Sequence, residues 1–502
     1  MKKRILSLIL AALILSSAAL TGCSEGTQNT DETQSSGTPS AVESTAVEEE
    51  TELTRANTPD DLPELDYEGV TATIAARDKV WFTGEMYVEE LTGEVVNDAV
   101  YNRDIDVENR LNVTINYELL GDTNGNVNTN VTAGTDFYTL HVGSAVDTVQ
   151  YGVNGNYYNL LGNYPEYLNL EQPWWSQYYT EQSSIKGISF FATGDLCFSL
   201  TKLAFVTYAN MQMVADFNLE NPYDLVREGT WTFDKEMEMA AGAYVDKNGD
   251  GAVDKNDTFG MSMAGEIGLD PYWSAFDLSI IEHDAEGTPI FSVNQEKMVS
   301  VLDKLASFYK KADFVYVVPN SSDAEQDEVA EMLADDRMLF SPLRIMHTEQ
   351  IRDMESDYAL LPLPKWDVEQ SEYYTFVHDQ YSIVGIPLSV QDPAMASAVM
   401  EAMAAESYRH VSPAYYDLVL NGKYIRDPNT AEMLDIAIAG IKIDFGWIYT
   451  YSLGSISQNL LRSLVYNEKT NTFSSTFRSM SKVQSKSMEK LVKNVIEMAE
   501  DR

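Results

Sequence analysis

From about residue 67 onward, runs of β-branched and aromatic residues alternate with stretches whose apolar positions recur every three or four residues. The first kind predicts strands over Val70–Ala75, Val113–Leu119, Tyr138–Val142, Leu203–Tyr208, Tyr358–Leu363 and Tyr381–Ile386. The second kind predicts amphipathic helices. Gln295–Lys311 sets Met298, Leu302, Leu305 and Phe308 on one stripe, and Val483–Ala499 does the same with Met488, Leu491, Val492, Val495 and Ile496. Asp392-Pro393 supplies a capping carboxylate and a proline at the first helical position, which starts a helix running to about Ser407. Strands separated by helices imply α/β lobes with parallel-type sheets, whose ligands bind in a crevice at the carboxyl ends of strands.

The first 66 residues break this pattern. Lys2, Lys3 and Arg4 precede an apolar run, Ile5–Leu20, that is short for a membrane span. It leads into Leu20-Thr21-Gly22-Cys23, which resembles a bacterial lipobox. That resemblance implies removal of residues before Cys23 and lipidation of Cys23, leaving the mature chain anchored on the outer face of a cell membrane. Residues 24–66 hold 12 acidic residues and a single base, Arg55, in a Ser/Thr/Gly-rich setting. Such a segment cannot bury enough apolar surface to offset its ordering entropy, so a disordered acidic linker is expected over 24–66.

Composition narrows the class. With 502 residues, 44% of them hydrophobic and 11% aromatic, the chain has material for two lobes. Its 34 Lys and Arg against 78 Asp and Glu give a net charge of −44, a field that repels phosphates and excludes nucleic acid as a partner. Apart from Cys23 the one thiol is Cys197, which makes no internal disulfide and, between Leu196 and Phe198, reads as a core cysteine.

The sharpest local motif runs from Asp246 to Asp257. Asp246, Asn248, Asp250, Asp254 and Asp257 occupy positions 1, 3, 5, 9 and 12 of a calcium-type loop, with Gly251 at the turn and the Ala252 carbonyl at position 7. A structural Ca2+ clip is expected there, Asp257 giving a shorter reach than the usual glutamate; a metal-free polar turn is the alternative. Enzyme signatures are missing: there is no His-Glu-x-x-His, no Gly-x-Ser-x-Gly and no phosphate-binding Gly-x4-Gly-Lys loop, and the five histidines are scattered singly. Aromatic residues cluster instead, as Trp174-Trp175, Tyr178-Tyr179, Tyr272-Trp273 and Trp447-Ile448-Tyr449. Aromatic faces stack on the apolar faces of sugar rings, while Asp, Asn and Arg hydrogen-bond the hydroxyls.

Several stretches in order are similar to the family 1 extracellular solute-binding proteins of ABC transporters. They include Ala99–Val113, Ala133–Gly143, Phe190–Asp195, Gly229-Thr230-Trp231, the loop leading to Phe259-Gly260, Arg337–Phe340, Leu361–Pro364 and Gly385-Ile386-Pro387. The resemblance spans the body from about residue 67. Thr139, where the family often has Asp, and Ala209 in Tyr208-Ala209-Asn210 depart from the family pattern.

The resemblance implies an α/β fold of two lobes with a hinge cleft, of the type II, maltose-binding-protein-like kind. Lobe 1 would span 67–195 with a return over about 373–407, and lobe 2 would span 196–372, completed by 408–502. It implies a monomeric, non-enzymatic receptor that captures a carbohydrate, expected to be an oligosaccharide, and passes it to the transmembrane subunits of an ABC permease. Trp273 and Trp447 would stack on sugar rings, Asp147, Asp195 and Arg344 would take hydroxyls, and Tyr381 would stand by the second crossover. A non-sugar solute such as a peptide, or a glycan-acting enzyme with a carboxylate pair, are the alternatives.

Overall fold

The computed structural model describes residues 54–309, 311–318, 323–421 and 429–500. The signal region with Cys23, and the expected linker up to Leu53, lie outside the described residues. From Thr54 onward the linker expectation is corrected. Asp60 accepts two hydrogen bonds from Arg110, both 2.6 Å, and one from Arg409 at 2.7 Å. Although burial pushes the Asp60 carboxyl up, these bonds outweigh it and hold it at about 2. Leu62, Leu65 and Tyr67 pack on the core beside it. Two arginines and three apolar side chains thus anchor a stretch whose acidity alone reads as disorder.

The strands are β1 (Val70–Arg77), β2 (Val113–Leu120), β3 (Leu140–Ser144), β4 (Phe205–Asn210), β5 (Phe259–Met263), β6 (Ile281–His283), β7 (Pro289–Phe291), β8 (Val315–Val317), β9 (Met338–Arg344), β10 (Tyr358–Leu361) and β11 (Ser382–Gly385). One sheet has the order β11-β3-β1-β2, with β1 parallel to both neighbours and β11 antiparallel to β3. The other has the order β10-β4-β9-β5-β8, parallel across β9, β5 and β8 and antiparallel across β10, β4 and β9. β6 and β7 form a separate hairpin.

All six expected strands form, with ends shifted by a residue or two. β9, the central strand of the second sheet, was not expected. Pro342 interrupts it and donates no hydrogen bond, so its sequence argues against a central strand, yet the strand is buried along its whole length between β4 and β5. β5 is equally irregular in sequence. A side chain at Gly260 would meet the Ala240 carbonyl at 1.9 Å, so this strand lies against helix Phe233–Ala241 only because position 260 has none.

Two segments join the sheets. The chain leaves the first over Ala192–Phe205 and returns over Phe376–Ser382, and these run antiparallel, with bridges between Ala192 and Val384 and between Ala204 and Val377. Because β11 returns to the first sheet beside β3, the architecture is two-lobed with a crossing between the lobes. Helix Pro393–Glu406, capped by Asp392 as expected, packs its buried side on the first sheet. Helix Ser412–Asn421 also rests against Val95–Leu111 of that lobe, so the chain leaves it later than residue 408. Asn429–Ala439 then packs on β10, and a 28-residue amphipathic helix, Phe473–Glu500, ends the described chain. No helix among the described residues is long and apolar enough to cross a membrane.

Candidate functional site

The loops at the carboxyl ends of β1, β2 and β3 surround a cavity of about 560 Å3. Arg77 ends β1 and Lys79 follows it, Asp122 and Asn124 follow β2, and Ser144 ends β3 with Asp147 just beyond it. Gln150 and Tyr151 come from helix Ala145–Val153, Asn154 caps its end, and Tyr451 reaches in from the C-terminal half of the chain. This is the position where an open parallel sheet leaves a crevice, because the connections after neighbouring strands diverge.

Local sequence sets each wall. Asp122 caps helix Thr123–Ala133 by accepting from the Gly125 amide at 2.9 Å. A side chain at Gly143 would meet the Thr148 hydroxyl at 2.1 Å, so glycine lets β3 turn directly into the next helix. There the Ser144 hydroxyl donates to Asp147 at 2.7 Å. The first amides of that helix, Ala145 and Val146, donate to the carbonyls of Tyr381 and Asp379 on the returning segment at 2.8 and 3.1 Å. Across the opening, the Ser452 hydroxyl donates to Gln150 at 2.7 Å.

A second, water-sized cavity of about 20 Å3 is walled by Asp379, Tyr381, Asp444 and Trp447. Burial pushes Asp379 up to about 6, the charges of Asp270 and Asp147 adding and that of Arg462 opposing. Burial likewise lifts Asp444 to about 6 and Asp270 to about 6, the latter against the pull of Arg462. The Arg462 Nε donates to Asp270 at 2.6 Å, and its guanidinium lies 5.7 Å over the Trp447 ring. Burial and the charges of Asp147 and Asp379 raise the Tyr451 phenol, so these three groups act on one another at the mouth of the cleft. Polar walls of mixed charge beside two tyrosines suit a polyhydroxylated ligand. The described wall holds neither histidine nor cysteine.

The structure divides the six expected ligand residues. Asp147 lines the 560 Å3 cavity, and Tyr381 and Trp447 line the small one. Trp273 is corrected from platform to core: it is fully buried and meets Trp447 edge to face at 6.3 Å, as backing for that ring. Arg344 is corrected too, since it ends β9 inside the second lobe at 2% exposure, its carbonyl accepting from Tyr208. Asp195 pairs with Arg55 in a different cavity of about 800 Å3, beside Trp174, Tyr178 and Tyr415. That cavity is larger, but it does not sit at the strand ends. Arg77, Lys79, Asp122, Gln150 and Tyr451 were missed; the first three directly follow expected strands, a signal that sufficed to find them.

The Asp246–Asp257 loop is turned on itself. Asp246 accepts from the amides of Gly249 and Gly251, at 2.7 and 3.0 Å, and Asp250 from Ala252 at 2.7 Å and Asn248 at 2.9 Å. Asp254 accepts from Asn256, and Asp257 from Lys247 and Asp254. Among the described residues, no three His, Cys, Asp or Glu side chains come together as a metal-holding group.

No family model and no curated protein matches this chain. Solved structures do. An ABC substrate-binding protein of Listeria monocytogenes in complex with cycloalternan superposes with a TM-score of 0.51 at 11% identity, covering 84% of this chain and 99% of that one. A cyclo/maltodextrin-binding protein complexed with maltotetraose gives 0.52 at 9% identity, over 85% and 96%. The GacH receptor of Streptomyces glaucescens gives 0.51 at 9% identity, over 84% and 99%. The chain has the two-lobe, maltose-binding-protein-like fold of these proteins.

Proposed function

We propose that this protein is a receptor that captures a carbohydrate between its lobes and hands it to an ABC permease. The observation that carries the reading is the cavity of about 560 Å3 at the carboxyl ends of β1, β2 and β3, walled by hydrogen-bonding side chains and lined on one side by Tyr451 of the C-terminal half. Structures of the same fold have been solved with cycloalternan and with maltotetraose bound, which supports a saccharide of several units. Lobe closure would be a ligand-stabilised shift of population, read by the permease. In the same reading the protein acts as a monomer, makes and breaks no bond, and is held to the membrane by a lipid on Cys23.

The test is a thermal-shift screen of the soluble body against oligosaccharides of different linkage, with peptides as a second panel. At a hundredfold excess over Kd a selective ligand adds about 2.7 kcal/mol, a rise of several degrees. A rise with one glycan class and its unchanged recovery is expected. A rise with peptides alone would transfer the reading to another solute, and products of cleavage would replace it with an enzyme.

A structural calcium ion in the Asp246–Asp257 loop is part of this reading. The donors are the oxygens that a hard cation takes, and the ion would draw Asp246, Asp250, Asp254 and Asp257 away from the loop amides. Millimolar calcium is expected to raise the melting temperature of the wild type and not of Asp246→Ala or Asp250→Ala, with saccharide binding unchanged within a few-fold. Equal melting with calcium and with chelator would remove the ion.

A further inference from the structure

The return segment is tied to the first lobe through three successive carbonyls. Those of Asp379 and Tyr381 accept from the amides of Val146 and Ala145; the one between, Gln380, accepts from Arg77 Nη1 at 2.9 Å. Arg77 Nη2 also donates to the Ser382 hydroxyl at 2.6 Å, and that hydroxyl donates to Glu85. The other Glu85 oxygen accepts from the Ser199 amide at 2.9 Å, and the Ser199 hydroxyl accepts from the Ser382 amide at 3.0 Å. Ser199 belongs to the outgoing crossover and Ser382 to the returning one. One buried ion pair, Arg77 Nη2 to Glu85 at 3.8 Å, therefore grips both crossovers where they meet.

We infer that Arg77 and Glu85 form a hinge clasp that fixes the relative position of the two crossovers and ties it to the ligand cavity, of which Arg77 is a wall. Two features argue for positioning above stability. A buried ion pair recovers its desolvation cost poorly, and apolar residues of similar size often serve stability as well or better. The guanidinium is also held flat, its Cζ 3.6 Å from the Phe82 ring centroid, with its fork aimed at the return segment. Arg77 is thus a positioning residue: a ligand oxygen that displaces it shifts Gln380 and Ser382 with it. The assignment of the cavity to a ligand rests on the receptor reading; the clasp itself does not.

Because removing one charge alone strands its partner, the test uses the paired variant Arg77→Met with Glu85→Gln beside the single Arg77→Lys. Hydrogen exchange is followed by mass spectrometry in peptides covering Phe190–Lys202 and Thr375–Gly385, with β2 and β5 as internal references. Exchange in the two crossovers is expected to rise at least about tenfold in the folded paired variant, with the reference strands unchanged, and the solution radius of gyration is expected to increase. Arg77→Lys, which keeps charge and loses the fork, is expected to behave like the paired variant. Crossover exchange equal to wild type, or a rise spread evenly over the first lobe, would overturn the clasp. Wild-type protein that binds no saccharide would remove the receptor reading and leave the clasp standing.

Discussion

Glu236→Gln is expected to flatten the dependence of stability on pH between about 5 and 8 and to raise the melting temperature at pH 8 by several degrees. Glu236 lies on helix Phe233–Ala241 with no exposed surface; one carboxyl oxygen receives a long bond of 3.4 Å from the Thr207 hydroxyl, and the other has no partner among the described residues. Burial pushes it up to about 8, the weak bond from Thr207 opposing. The folded chain therefore holds a proton that the unfolded chain releases near pH 4.5, so the proton is bound more tightly in the folded state throughout that window. Stability from this group is complete below pH 4.5 and is lost as pH rises through about 8, a change on the order of 5 kcal/mol across the window. Glutamine stays neutral and carries no such loss. Asp270, Asp379 and Asp444, each near 6, slope in the same direction and remain in the variant. Thermal unfolding from pH 5 to 8.5 reads the difference, and a Glu236→Gln profile parallel to wild type would refute the assignment.

The second large effect concerns Glu401. Its two oxygens accept from the indole nitrogens of Trp174, at 3.0 Å, and Trp175, at 2.9 Å, and it also takes the Asn169 amide at 3.3 Å. One buried carboxyl on helix Pro393–Glu406 thereby holds the whole Asn169–Trp175 loop. Glu401→Ala leaves two buried indole N–H groups unpaired and opens a void, which together are expected to cost about 3–5 kcal/mol. Glu401→Gln keeps one acceptor oxygen and should lose less than half of that. Denaturant midpoints measure the loss, and near-ultraviolet circular dichroism should show the two indoles loosened; a loss under about 1 kcal/mol for alanine would show that the loop is held by packing alone. Burial places the Glu401 carboxyl at about 7, the indole bonds opposing, so its share of the fall in the wild-type midpoint should come as pH rises from about 4.5 to about 7 and level off above that.

The fold was legible where local pattern and tertiary burial agree. β1, β2 and β3 are short apolar runs flanked by helices, and helix Pro393–Glu406 announces itself with Asp392 and Pro393. β9 was not legible, because Pro342 argues against a central strand and only its neighbours β4 and β5 overrule it. The site was half legible. Asp147 follows an expected strand, and the same rule reaches Arg77 and Asp122. Trp273 misled because a tryptophan in a Pro-flanked turn looks the same in sequence whether its ring faces a cleft or the ring of Trp447.

Periodicity, capping residues and composition by themselves determined the alternation of strand and helix, the α/β class and the strongly negative charge, since these depend on residue types and on neighbours in the chain. Which carboxylates remain open to a ligand and which are taken up by Arg55, Arg110 or Trp174 was decided only by the tertiary structure. Asp60 and Asp195 are chemically the same as Asp147, and what separates them is the arginine that folding brings beside each, from 50 and 140 residues away.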